Sequence, residues 1–132
     1  MYLLDTNACI RILNDSSPRL VDRLRDTNPD DIRLSAVTRA ELLFGAHNST
    51  RIAGNLRLLD AFFKTLFSLP FDDACADRYG VLRAELAATG QLIGPNDLFI
   101  ASTALAHNLV LVTHNVREFS RVPGLRLEDW EE

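Results

Sequence analysis

Residues 93–115 read IGPNDLFIASTALAHNLVLVTHN, and the order of patterns inside them decides the fold class. From Pro95 to Ala106 apolar residues dominate, with a proline in the first turn, which predicts a helix. Leu109 to Val112 is an apolar run with no polar alternation, as in a strand covered on both faces. Thr113 to Asn115 then forms a polar turn. Helices feeding fully apolar strands build a mostly parallel sheet with helices on both sides.

The same pattern extends outward in both directions. MYLLDTNACI opens the chain with a strand, Tyr2 to Leu4, that stops at Asp5, and a helix follows from about Ala8. A second helix spans Pro18 to about Asp26, a second strand Ile32 to Ser35, and a third helix Val37 to Ala46. Ile52, Leu56, Leu59, Phe63 and Leu66 recur at helical spacing, then Phe67 to Leu69 reads as a strand closed by Pro70. Cys75, Tyr79, Leu82 and Leu86 mark a helix from Asp72 to about Ala88, and Leu125 to Leu127 is expected as the last strand, before EDWEE. The fold class is α/β, in one domain spanning residues 1–132.

At 132 residues and 47% hydrophobic, the chain can bury one substantial core. No apolar run approaches the roughly 18 residues of a membrane helix, and the start lacks a secretory signal, so a soluble, cytoplasmic protein with no membrane association is expected. Net charge is −4, which argues against a broad basic coat for nucleic acid but leaves room for a local basic rim. Lys64 is the only lysine and no glycine-rich loop precedes it, so P-loop and Schiff-base chemistry are unsupported. Cys9 and Cys75 read as buried free thiols, and His47, His107 and His114 show no ligand spacing.

Polar residues gather at four points. Asp5-Thr6-Asn7 follows the first strand; Glu41 lies near the start of the third helix; Pro95-Asn96-Asp97 opens the apolar helix; Thr113-His114-Asn115 follows the LVLV strand. Each alone can be read as helix capping, by Thr6 or Asn7 in the first and by a Thr38/Glu41 capping box in the second. In a parallel sheet, however, ligands collect outside the carboxyl ends of the strands. There Asp5, Glu41 and Asp97 would share one cleft, and three carboxylates in a small volume need a cation. Oxygen donors without thiolate or paired imidazole suit Mg²⁺, with Mn²⁺ able to substitute. Arg11 and Arg39 are the nearest basic residues and the candidates for gripping the phosphates of a substrate.

YLLDTN, AELLFGA, the stretch GQLIGPNDLFIASTALAHNLVLVTHNVREFSRVPGL and the terminal EDW resemble the PIN-domain ribonuclease toxins of the VapC family, in the same order and over nearly the whole chain. The resemblance implies a PIN-domain α/β/α sandwich around a short, mostly parallel sheet. It also implies a Mg²⁺- or Mn²⁺-dependent endoribonuclease, the toxin of a type II toxin-antitoxin pair, acting on structured RNA such as tRNA. Its acidic metal positions fall on Asp5, Glu41 and Asp97. The fourth polar position, often an aspartate, falls on Asn115, a departure expected to remove one negative charge and to put a second metal in doubt. Thr6, Asn7 and Thr113 match positions that support the carboxylates by hydrogen bonds. The family further implies a homodimer and a VapB-type antitoxin seated in an apolar groove, for which the helices at Leu20 to Leu24 and Ile52 to Leu66, with Phe62 and Phe63, are the expected surface. An aspartyl-phosphate phosphatase is the weaker reading, because Asn7 stands where a second acid is needed.

Overall fold

The computed structural model describes residues 1–132. Five short strands, β1 Tyr2–Leu4, β2 Ile32–Ser35, β3 Phe67–Leu69, β4 Val110–Val112 and β5 Leu127–Glu128, lie in the order β3-β2-β1-β4-β5, with every pairing parallel. The helices are α1 Thr6–Leu13, α2 Pro18–Arg25, α3 Ala36–His47, α4 Ile52–Phe63, α5 Asp73–Ala88, α6 Pro95–Ala106 and α7 Val116–Phe119, with a 3-10 turn at Pro29–Asp31.

Successive strand residues point to opposite faces of a sheet, and here both faces are covered. Leu4 and Val112 enter one core with Cys9, Leu20, Leu42 and Phe63. Leu3 and Leu111, one residue earlier, enter the other with Leu82, Leu98, Ile100 and Phe119. This two-sided burial explains why the strands carry no polar alternation.

Chain order places the crevice. From β1 the chain steps outward to β2 and β3, then crosses back to β4 on the other side of β1. Connections therefore diverge between β1 and β4, and the carboxyl ends of these two strands flank the switch point where α/β sheets bind ligands. Asp5 follows β1 and Thr113 follows β4, with the Asp5 amide bonded to the Val112 carbonyl at 3.1 Å.

Most boundaries fall within a residue of expectation; three differ for a physical reason. Helix α1 starts at Thr6, not Ala8, because Asp5 itself is the cap. Helix α4 stops at Phe63, although Leu66 beyond it stays in the core. Strand β5 falls at Leu127–Glu128 because its register is set by pairing of Leu127 with Leu111 and Glu128 with Val112. The four-residue α7 was not anticipated, being too short to display periodicity.

Candidate active site

Asp5 is 4% exposed and serves two purposes. Its Oδ1 accepts the Ala8 N–H at 2.8 Å, capping α1, and its Oδ2 accepts the Thr113 hydroxyl at 2.6 Å across the switch point. Burial pushes its carboxyl above the ordinary aspartate value, against the opposing pull of those two donors and of Arg11. Neither Thr6 nor Asn7 caps the helix.

Glu41 is not part of a capping box. Ser35 caps α3 by accepting the Thr38 N–H at 3.0 Å, which leaves the Thr38 and Glu41 side chains to other partners. Thr6 donates its hydroxyl to Glu41 Oε1 at 2.7 Å, and Thr6 Oγ1 lies 3.0 Å from Thr38 Oγ1. A threonine has one hydroxyl proton. With that of Thr6 given to Glu41, Thr38 is the donor to Thr6, and a two-step chain fixes the carboxylate.

Asp97 is the third residue of α6, whose cap, Gly94, offers no side chain. Its carboxyl is pushed up to about 7, first by burial, then by Glu118, Asp5 and Glu41. Glu118, on α7, was not singled out from the sequence. Its Oε1 accepts the Gly94 N–H at 2.9 Å and its Oε2 accepts the Asn115 amide at 2.5 Å. Burial acts to raise Glu118, but the Gly94 N–H, Asp97, Asn115 and Arg121 outweigh it and hold the group below its ordinary value.

The Asn115 side chain faces Glu118. A further acid, Glu118, lies three residues later on α7, where Asn115 braces it and where it adds to the burial that raises Asp97, although it does not itself line the cleft. The missed signal is the Asn115-x-x-Glu118 spacing, which places the two on one face of a helical turn.

Asp5, Thr6, Asn7, Glu41, Asn96 and Asp97 line one open cleft of about 410 Å³. Thr6 and Thr113 bond to Glu41 and Asp5 as expected, whereas the exposed Asn7 side chain bonds to neither. No basic side chain, imidazole or thiol lines the cleft. Mutually repelling carboxylates with only oxygen donors around them fit a hard divalent cation, and Asp5, Glu41 and Asp97 are the residues that would hold it.

The two candidate arginines are otherwise engaged. Arg11 Nε lies 3.2 Å from Glu131 Oε1 in the C-terminal tail, and the Arg39 guanidinium stacks 4.3 Å from the Phe63 ring centre. Neither lines the cleft. Beside the Arg11–Glu131 pair, His114 Nδ1 meets Asp129 Oδ2 at 2.9 Å, and that bond holds the imidazole above its ordinary value.

An apolar groove of about 320 Å³ adjoins the cleft and shares Ile10 and Glu41 with it; Leu13, Leu42, Leu58 and Leu59 supply its walls. Phe62 and Phe63 are not its surface: Phe63 is in the core and Phe62 packs against it, while Leu58 is 62% exposed.

The profile of the PIN domain family matches residues 2–125. Ribonuclease VapC2 of Rickettsia felis is 41% identical over 99% of this chain and 98% of its own length. The tRNA(fMet)-specific endonuclease VapC of Salmonella typhimurium is 39% identical over 98% of this chain and 97% of its own. Among solved structures, that of a DNA-bound VapBC from Salmonella typhimurium superposes with a TM-score of 0.93 at 39% identity, covering 98% of this chain and 97% of that one.

Proposed function

The chain belongs to the VapC ribonuclease family of PIN domains, and from that premise we propose that it is the toxin of a type II toxin-antitoxin pair, a single PIN domain that cuts structured RNA, tRNA foremost, in the cytoplasm. One observation carries the chemistry: Asp97 is driven up to about 7 by burial and by surrounding carboxylates, in a cleft that no basic side chain lines. Such a site is built around a cation. Asp5 and Asp97 would hold Mg²⁺, or Mn²⁺ in its place, with Glu41 as a further ligand or as the base for the attacking water. When bound, the ion polarises the scissile phosphate and lowers the pKa of water at the site.

The remaining work belongs to the side chains. Thr113 fixes Asp5 and Thr6 fixes Glu41, so both carboxylates are oriented before RNA arrives. Glu41 Oε1 is committed to Thr6, which leaves Oε2 as the atom free to face the ion or to take the proton from the attacking water. In-line attack by water leaves a 5′-phosphate and a 3′-hydroxyl. Total RNA incubated with the purified chain should yield discrete 5′-phosphorylated ends within tRNA, none in EDTA, and the same ends again after Mg²⁺ or Mn²⁺ is restored. Cleavage that persists under strict chelation, or cyclic-phosphate termini, would overturn this mechanism.

The relatives include VapBC structures from Salmonella typhimurium and Rickettsia felis, and the proposed partner here is likewise a VapB-type antitoxin. An apolar segment in the groove beside Ile10 and Leu58 reaches Glu41, where a basic side chain takes the place of the cation. The toxin itself is proposed to be a homodimer. A monodisperse monomer at micromolar concentration would exclude that.

A further inference from the structure

Away from the cleft, the donor atoms of Asp72, Cys75 and His107 lie within 4.8 Å of one another. Asp72 caps α5: its Oδ1 accepts the Cys75 N–H at 3.0 Å, which leaves Oδ2 aimed at His107 Nε2, 3.6 Å away. That distance is too long for a hydrogen bond. His107 Nε2 is nevertheless buried and has no hydrogen-bond partner, an arrangement that is costly unless something else occupies the nitrogen. The Cys75 thiol is fully buried, 3.9 Å from the Pro70 carbonyl and close to the Asp72 and Thr103 side chains.

The fold holds the three in place from two directions. Asp72 and Cys75 sit three apart at the start of α5, on one face. His107 is the C-cap of α6, and Asn108 beyond it adopts φ 54°, which turns the chain into β4. Asp72 and His107 are 41% and 29% exposed at the side chain, so an ion has a way in from solvent.

We propose that Asp72, Cys75 and His107 form a second metal site, one that binds a thiophilic divalent cation of the Zn²⁺ class. Carboxylate oxygen, thiolate sulfur and imidazole nitrogen together suit Zn²⁺ and not Mg²⁺. Tetrahedral Zn²⁺ with bonds of 2.0–2.3 Å separates its ligand atoms by about 3.3–3.8 Å, and the Asp72–His107 separation of 3.6 Å already falls there. On binding, the Cys75 S–H bond breaks, the proton leaves to solvent and the thiolate ligates the ion. His107 is ten residues from Asp97, about 15 Å along α6, so this ion would take no part in cleavage. It would pin the far end of the α5–α6 hairpin, and it is independent of the reading given to the carboxylate cleft.

Co²⁺ is the probe, added to the full-length protein with the cleft saturated by excess Mg²⁺. One equivalent should produce a near-ultraviolet thiolate-to-cobalt absorption that Zn²⁺ abolishes and further Mg²⁺ does not. Asp97→Asn and Cys9→Ala should leave the band intact, whereas Cys75→Ser should remove it. Because Cys75 is buried and its variant can unfold, His107→Gln at a half-buried position is the second arm, and it should lose stoichiometric binding while keeping the wild-type circular dichroism. Absence of the band from the wild-type protein, its survival in Cys75→Ser, or undiminished binding by folded His107→Gln would each overturn the site.

Discussion

Thr6 has one hydroxyl proton, and Glu41 Oε1 receives it at 2.7 Å. Thr6→Val should therefore leave Glu41 present but loose. Partners that orient functional carboxylates typically matter about 10–100-fold, so single-turnover cleavage should fall by that order while thermal stability drops only by about 1 kcal/mol, the worth of one hydrogen bond. An unchanged rate would return Glu41 to a purely structural role. The spacing Thr38-x-x-Glu41 is visible in the sequence, yet spacing could not tell which hydroxyl caps α3; Ser35 does, although it also ends β2. Arg11 shows the same limit. Its position one turn beyond Asp5 is legible, but its partner Glu131 lies 120 residues away, brought there only by the folded tail. Arg11→Ala and Glu131→Ala should each cost roughly 0.5–1 kcal/mol, and the double variant should cost little more than either. Full additivity in denaturant melts would show that the pair is not coupled.

At the level of elements, periodicity identified the six longer helices because each buries an apolar stripe in one of two cores. It failed at α7, which has four residues and one buried side chain, Phe119, and Glu118 was missed with it. The consequence of α7 is electrostatic. In the metal-free protein Asp97, on α6, is raised to about 7 by burial and by Glu118. A carboxyl whose pKa is higher folded than unfolded favours folding fully below the unfolded value of about 4, and that contribution disappears as pH rises through about 7. Stability of the metal-free protein should thus decline between about pH 4 and pH 7, with a slope of at most about 1.4 kcal/mol per pH unit from this one proton. Asp97→Asn should flatten the decline, and Mg²⁺ should do the same by favouring the ionised form. Urea melts across this range with EDTA or with Mg²⁺ decide it; a slope that survives in Asp97→Asn belongs to another group.

For the whole molecule, two cores on a parallel sheet leave one continuous depression, acidic at the β1/β4 switch point and apolar between α1, α3 and α4. The proposed cleavage and the proposed antitoxin binding would make different demands on the surface, and Leu58 separates them. It is 62% exposed and lines the groove but not the cleft. Leu58→Glu should shift stability by no more than about 0.5 kcal/mol, as exposed substitutions usually do, and should leave tRNA cleavage intact. In the complex the same glutamate would be buried against apolar side chains without a partner, which is costly. A loss of about 2 kcal/mol, typical of a central interface residue, weakens binding roughly thirtyfold. Cells that express the variant together with the proposed VapB-type antitoxin should stop growing at antitoxin levels that fully protect the wild type, and calorimetry on the purified pair should show the weakened affinity. If Leu58→Glu is silenced at the same stoichiometry as the parent chain, the antitoxin does not use this groove, and inhibition must act through the carboxylates alone or through another face.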